Sequence, residues 1–524
     1  MKNKINLSKW VMIGLGVAFL SSCSQSIMDR INTNPDNPTT AASKFIVTDL
    51  ETSTSFNIVG SDLSFYADVY MEHEVGTYGQ MFDAEERISM PVAASTYDDN
   101  WIELYTNFKN AKIVIKNCST GGSEAGNNIT KGVAEVLAAY NLAVLTDMFG
   151  DVPYTQAADL TLPASGSYFQ PKIDTQDTIY QGIFAYLNQA ITDLAGSDAA
   201  ATGSLGAQDL IFGGDASRWI KFAYGLKARY TMHLLYRSTN PQQDLQNIIT
   251  WANKSFASPD EDAKYAVYQG EGTSASSPFA QFYWDRDYFS VSQSFVDKLT
   301  ARNDPRVYVL FMNAQTWAID TNPAKIYAAP NGDPIEQVDT YDIPVYEVGF
   351  KVPTDLLSYH ELQFLKAEAY TRMATPDTAS AWAALENGVR SCIATKITTM
   401  VNDVNNEQGL GDSTIPDSVV VKYMNTIRKT LYKANPLKEI MVQKYLACYG
   451  GEGEVLEAYN DYRRLKAFGQ QSYITLDNAL NSTKFPLRYA YGTSDVTANP
   501  NVAAAYGNGQ YVYTDPVWWA GGTH

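Results

Sequence analysis

An all-α fold of paired helices bearing a long, irregular, aromatic-rich face is what the 524-residue sequence predicts. Three observations predict it. Apolar residues recur at spacings of three and four in a series of long segments, the period of an α-helix with one buried face. Short breaks separate these segments, which pairs consecutive helices in a tetratricopeptide-like way, although the full 34-residue consensus is absent. Two other stretches lose this period yet remain dense in aromatic residues.

The first segment is a targeting signal. Lys2, Lys4 and Lys9 precede an apolar run from Trp10 to Leu20. That run is shorter than the roughly 20 residues a membrane-spanning helix needs, and it fits the core of a secretory signal. Leu20-Ser21-Ser22-Cys23 follows and resembles the bacterial lipobox, in which the Cys is lipidated and becomes the first mature residue. Residues 1–22 are therefore read as a lipoprotein signal peptide and Cys23 as the lipidation site, palmitate being one acyl group it would carry. Residues 23–40 read as a tether. Its Asn-Thr-Asn-Pro-Asp-Asn-Pro run offers turns and a helix cap but few apolar side chains.

Residues 41–257 are assigned to an N-terminal helical region. Its stripes run Trp101-Leu104-Phe108-Ala111-Ile115, Val133-Leu137-Tyr140-Val144-Met148, Tyr180-Phe184-Leu187-Ile191-Leu194 and Trp219-Phe222-Leu226-Tyr230-His233. The second of these is apolar nearly all round, which predicts a central helix. Gly150 and Pro153 end it. A second helical region, 354–469, holds the stripes Leu362-Leu365-Ala369-Tyr370-Met373 and Ile440-Met441-Tyr445-Cys448-Tyr449. Asp461 with Arg463 and Arg464 is expected to pin the last helix pair. Between the two regions lies an irregular insert, 258–353, in which only Ser292–Thr300 reads as a short helix. A loop-rich tail covers 470–524. Long irregular stretches in an ordered chain usually carry function, and the helices read as their scaffold.

Composition narrows the function. Apolar residues make up 45% and aromatics 12%, enough for a large core. Length alone suggests about three domains. The formal charge of −18 repels phosphate backbones, so nucleic acid is excluded as a partner. The 35 Tyr and 9 Trp beside only 18% charged residues suit polar ligands met through flat rings. Cys118, Cys392 and Cys448 are too widely spaced for a disulfide framework or a zinc site, and read as buried apolar residues or at most one distant pair. His73-Glu74 and His360-Glu361 lack the second His of a zinc motif. No nucleophile elbow or phosphate loop occurs, and Gly121–Gly126 reads as a turn. Asn331, Gly332, Asp333, Asp339 and Asp342 lack the calcium-loop spacing and read as a solvated acidic loop. No catalytic residue, metal or cofactor is assigned. A carboxylate pair of the glycosidase kind remains open, because its geometry is three-dimensional.

Six segments carry a family resemblance. They are Ile31–Thr39, Leu145-Thr146-Asp147-Met148-Phe149-Gly150-Asp151-Val152-Pro153-Tyr154, Tyr359–Ala369, Gln443–Ala447, Tyr459–Arg464 and Phe485–Tyr489. Together, in this order, they resemble the SusD/RagB family of outer-membrane nutrient-binding lipoproteins, in its second SusD-like subfamily. The resemblance implies four tetratricopeptide-like helix pairs and a loop-rich ligand face. It also implies a SusC-type TonB-dependent barrel as partner, and a ligand that is usually a glycan and sometimes a peptide.

The expected function is capture of an oligosaccharide at the cell surface and its delivery to that barrel, with Cys23 lipid-anchored in the outer membrane. A peptide-binding member of the family, a surface glycoside hydrolase and an adhesin are the alternatives. Sugars stack their CH faces on aromatic rings and hydrogen-bond through their hydroxyls. Rings in irregular segments are the candidates: Tyr78, Phe82 and Tyr97 before Trp101, and Tyr283, Trp284, Tyr288 and Trp317 in the insert. The resemblance places sugar-binding rings in the same two regions. Trp101, Trp219 and Trp382 lie on helical stripes and are read as core.

Overall fold

The computed structural model describes residues 41–88, 95–161, 169–270 and 275–523. The expected signal segment, tether and Cys23 lie outside these residues. From Ser43 onward the chain forms a single contact unit, where length suggested about three domains.

Each of the six stripes becomes a helix. They lie in Asp98–Cys118, Asn128–Phe149, Gln176–Asp193, Ala216–His233, Tyr359–Arg372 and Pro436–Cys448. Starts are set by local chemistry. Thr175, Asp215, Ser358 and Asn435 accept backbone N–H groups of the first turn through their side chains, and Pro436 occupies the first helical position. Asn128–Phe149 is buried along nearly all its length, as its all-round apolar pattern requires. It is long and apolar enough to cross a membrane, yet 94% of that window is buried inside the protein. Its end falls at Gly150, whose φ of +86° costs a residue without Cβ nothing.

Consecutive helices pack in pairs. Asp98–Cys118 lies on Asn128–Phe149, Ala216–His233 on Pro241–Lys254, Tyr359–Arg372 on Thr378–Cys392, and Pro436–Cys448 on Glu452–Ala467. Buried charges join the pairs. Arg464 donates to both carboxylate oxygens of Glu368, at 2.6 and 2.7 Å, and to Asp461 at 2.7 Å, while Lys444 lies 2.8 Å from Asp461. Arg229 grips Glu361 through two donors. The Asp461/Arg464 group thus holds the last helix pair against Tyr359–Arg372. Arg463 donates instead to the carbonyls of Asp147 and Leu487, which ties the tail to the central helix.

The insert leaves the scaffold and returns to it through a short ladder, Ala263–Tyr265 antiparallel to Thr354–Leu357. A second ladder, Glu74–Gly76 against Phe289–Val291, brings the two aromatic loop regions together. Gln293–Thr300 is helical as expected, capped by Ser292. A helix at Pro278–Arg286 was not expected. The insert is also less solvated than its sequence implies. Asp342 is buried and accepts from the backbone N–H groups of Ala314 and Tyr327, and Asn331 accepts from Ser292 and Ser294. Cys118, Cys392 and Cys448 are all free and buried, so the distant pair left open does not form. Trp101, Trp219 and Trp382 are core residues.

Candidate ligand-binding face

The Pro278–Arg286 helix organises the site. Pro278 opens it, Phe279 and Tyr283 point into the core one turn apart, and Asp287 closes it in a left-handed conformation with φ +52°. The opposite face is open. Trp284 stands on one side of it, Gln281 and Asp285 lie between, and Phe282 and Arg286 stand on the other.

Trp284 is 47% exposed and belongs to a stack of three rings. Trp317 lies 5.4 Å from it at an interplanar angle of 19°, and Phe350 lies 5.7 Å from it at 18°. Backbone contacts hold the outer rings. The Phe350 carbonyl accepts from Ser277 N–H at 2.7 Å, directly before the Trp284 helix. The turn before Trp317 is wound on Asn313, whose side chain accepts from the N–H groups of Gln315 and Thr316 and donates to Asp342. Trp317 itself has φ +55°, a conformation that costs a bulky side chain on the order of 1–3 kcal/mol and that the surrounding structure must hold. Tyr283 lies edge-on to Trp284 at 5.5 Å and is 4% exposed.

A second ring group sits on the Phe282 side. Tyr288 lies 5.7 Å from Phe282 and 5.4 Å from Tyr78, which is 43% exposed. Gly79 permits this contact, since a Cβ there would come within 2.7 Å of the Tyr288 ring. Phe82 is half-buried one turn further along, in the helix Gly79–Glu85. A cleft of about 470 Å³ adjoins Phe282. Its walls include Phe56, Phe65 and Phe282, with Asn100, Asp62 and Arg286 among its polar groups.

Two of the seven candidate rings are placed otherwise than expected. Tyr97 is fully buried, stacked on Tyr489 at 4.3 Å and 10° and hydrogen-bonded to Tyr70. It is core, because it precedes the Asp98–Cys118 helix and turns inward beneath it. Tyr283 is core as well, placed inward by the helical phase that puts Trp284 outward. Trp284, Trp317 and Tyr283 are brought together, as are Tyr78 and Tyr288. Phe350 and the cleft escaped notice in the sequence. Ser277-Pro278 followed by Phe279 and Tyr283 at i, i+4 is the signal that would have revealed the helix. Phe350 had no local signal. His73 and His360 are buried and bonded to Asp68 and Glu454 respectively. Among the described residues no three His, Cys, Asp or Glu side chains converge as a metal site.

Paired helices beneath an open face of stacked, partly exposed rings define an all-α protein with a candidate ligand-binding face. The family model described as "Starch-binding associating with outer membrane" matches residues 35–492, and the chain belongs to this SusD-like family. Its structure is similar to that of a SusD/RagB family protein from Bacteroides thetaiotaomicron, with 42% identity, a TM-score of 0.85, and coverage of 93% of this chain and 100% of that one. A SusD homolog from Bacteroides fragilis shares the fold at 18% identity, with a TM-score of 0.69 over 92% of this chain and 100% of that one. A chitin-binding SusD homolog from Flavobacterium johnsoniae does so at 17% identity, with a TM-score of 0.64 over 92% and 99%. No functionally curated protein matches the sequence.

Proposed function

We propose that this protein captures an oligosaccharide at the cell surface and passes it to a SusC-type TonB-dependent barrel, while Cys23 holds it to the outer membrane through lipid. The observation that carries the glycan reading is the half-exposed Trp284 stacked with Trp317 and Phe350, beside a polar cleft on the same helix. Flat apolar faces next to hydrogen-bonding groups are the two things a pyranose ring recognises. Family membership and the chitin-binding SusD homolog among its structural neighbours support the same reading.

The contact residues proposed are Trp284, Trp317, Tyr78, Tyr288 and Phe82, joined by Phe350. Affinity electrophoresis through gels containing single polysaccharides tests this. Trp284→Ala should weaken retention by whichever glycan binds, on the order of 1–3 kcal/mol or about five- to 150-fold, with little change in melting temperature. Unchanged retention by every binding glycan would remove the ring stack from the site.

A further inference from the structure

The cleft beside Phe282 carries an uneven charge. Asp62, Asp99, Glu103 and Asp285 line it, and Arg286 is the one cation on its wall among the described residues. Arg286 reaches over the rings of Phe282 and Tyr288, at 6.0 and 5.8 Å. Glu103 accepts a hydrogen bond from Ser53, which leaves its charge in place. Burial, with Asp99 nearby and Arg286 only partly opposing, lifts the Asp62 carboxyl to about 6. A second, independent feature marks the same cleft. Asn100 lines it and is 2% exposed, and its amide nitrogen donates to the Asn57 carbonyl at 2.9 Å and to Ser61 at 2.8 Å. Its Oδ1 has no hydrogen-bond partner. A buried acceptor without a donor is destabilising unless something supplies one.

Resting on the glycan reading above, we infer that this cleft is a charge-selective subsite that takes a sugar bearing a free, protonated amino group and turns away uronate- and sulfate-bearing sugars. Phe56, Phe65 and Phe282 offer faces for the pyranose CH groups. The carboxylates accept from the ammonium, and Asn100 Oδ1 is an acceptor for a further N–H or O–H. A hydroxyl in place of the ammonium keeps the ring contacts but loses the charge-assisted bonds. A carboxylate or sulfate would meet the charges of Asp99, Glu103 and Asp285, joined by Asp62 as it ionises above about pH 6, against one Arg.

A β-1,4-linked series that differs only at C2 tests this by calorimetry at pH 6. The probes are the hexamers of glucosamine, N-acetylglucosamine and glucose. The glucosamine hexamer should bind the wild-type protein about tenfold more tightly than the other two at low salt. That preference should shrink as salt rises from about 0.05 to about 0.5 M, because screening reaches an open cleft. Asp62→Asn combined with Asp99→Asn should bring the ratio of amine to hydroxyl affinity close to one. The salt series on the wild type stands whether or not that variant folds. Equal or weaker binding of the glucosamine hexamer, no measurable binding of it, or a preference indifferent to salt would each overturn the inference. The glycan reading is judged separately, by Trp284→Ala on the polysaccharide gels.

Discussion

Tyr97 and Trp284 are both aromatic side chains outside the helical stripes, and they meet opposite fates. Tyr97 sits in a cluster with Tyr66 and Tyr489 and has no exposed surface. Tyr97→Ala should therefore cost about 3–5 kcal/mol of stability, read by urea denaturation, while the folded fraction keeps its glycan affinity. Loss of affinity without loss of stability would return Tyr97 to the site. Trp284→Ala should show the reverse profile, large in binding and small in stability. Neither difference lies in the residue type. It lies in which way the local backbone turns the ring.

At the scale of elements, the helix pairs are locked by charges that are themselves buried. His233, at the end of Ala216–His233, lies 3.2 Å from Asp147 on the central helix and 2.7 Å from Glu457 on Glu452–Ala467. Burial alone would lower its pKa, but Glu457 and Asp147 outweigh it and raise the imidazole from 6.5 to about 9. The folded value lies above the unfolded one, so the charged histidine stabilises the fold fully below about pH 6.5. That contribution, on the order of 3 kcal/mol, is lost as the pH rises through about 9. Melting temperatures from pH 7 to 10 should fall more steeply for the wild type than for His233→Gln. Parallel curves would show that His233 is not the group being titrated. His73 behaves in the opposite sense. Burial holds it at about 3, so it stays neutral, and its contribution is lost only as the pH falls from 6.5 toward 3.

At the scale of the whole molecule, the proposed anchor and the proposed binding face are tested separately. Cys23→Ala should move the protein from the membrane to the soluble fraction, since stable attachment needs more than one acyl chain and this is the residue proposed to carry them. Unchanged membrane retention would refute the anchor. The purified soluble protein should bind glycan and leave it intact, as chromatography of the recovered ligand would reveal. Cleavage that disappears on replacing a single carboxylate would make the protein a hydrolase.

The sequence by itself determined the scaffold. A helix with one buried face writes its period into consecutive residues, so Trp101 to Ile115 and Val133 to Met148 could be read without any fold. Charged residues near one another in sequence, such as Asp461 and Arg464, also declared their structural use, and six ordered motifs pointed to the family. Only the tertiary structure assembled the candidate ligand face. Trp284, Trp317 and Phe350 stack although they come from two separate loops and a helix of nine residues, too short for its period to stand out. The cleft likewise draws Asp62, Asn100 and Arg286 from distant parts of the chain. Contacts of that kind depend on how the insert folds back onto the scaffold through the Glu74–Gly76 and Ala263–Tyr265 ladders, which pair residues far apart in sequence.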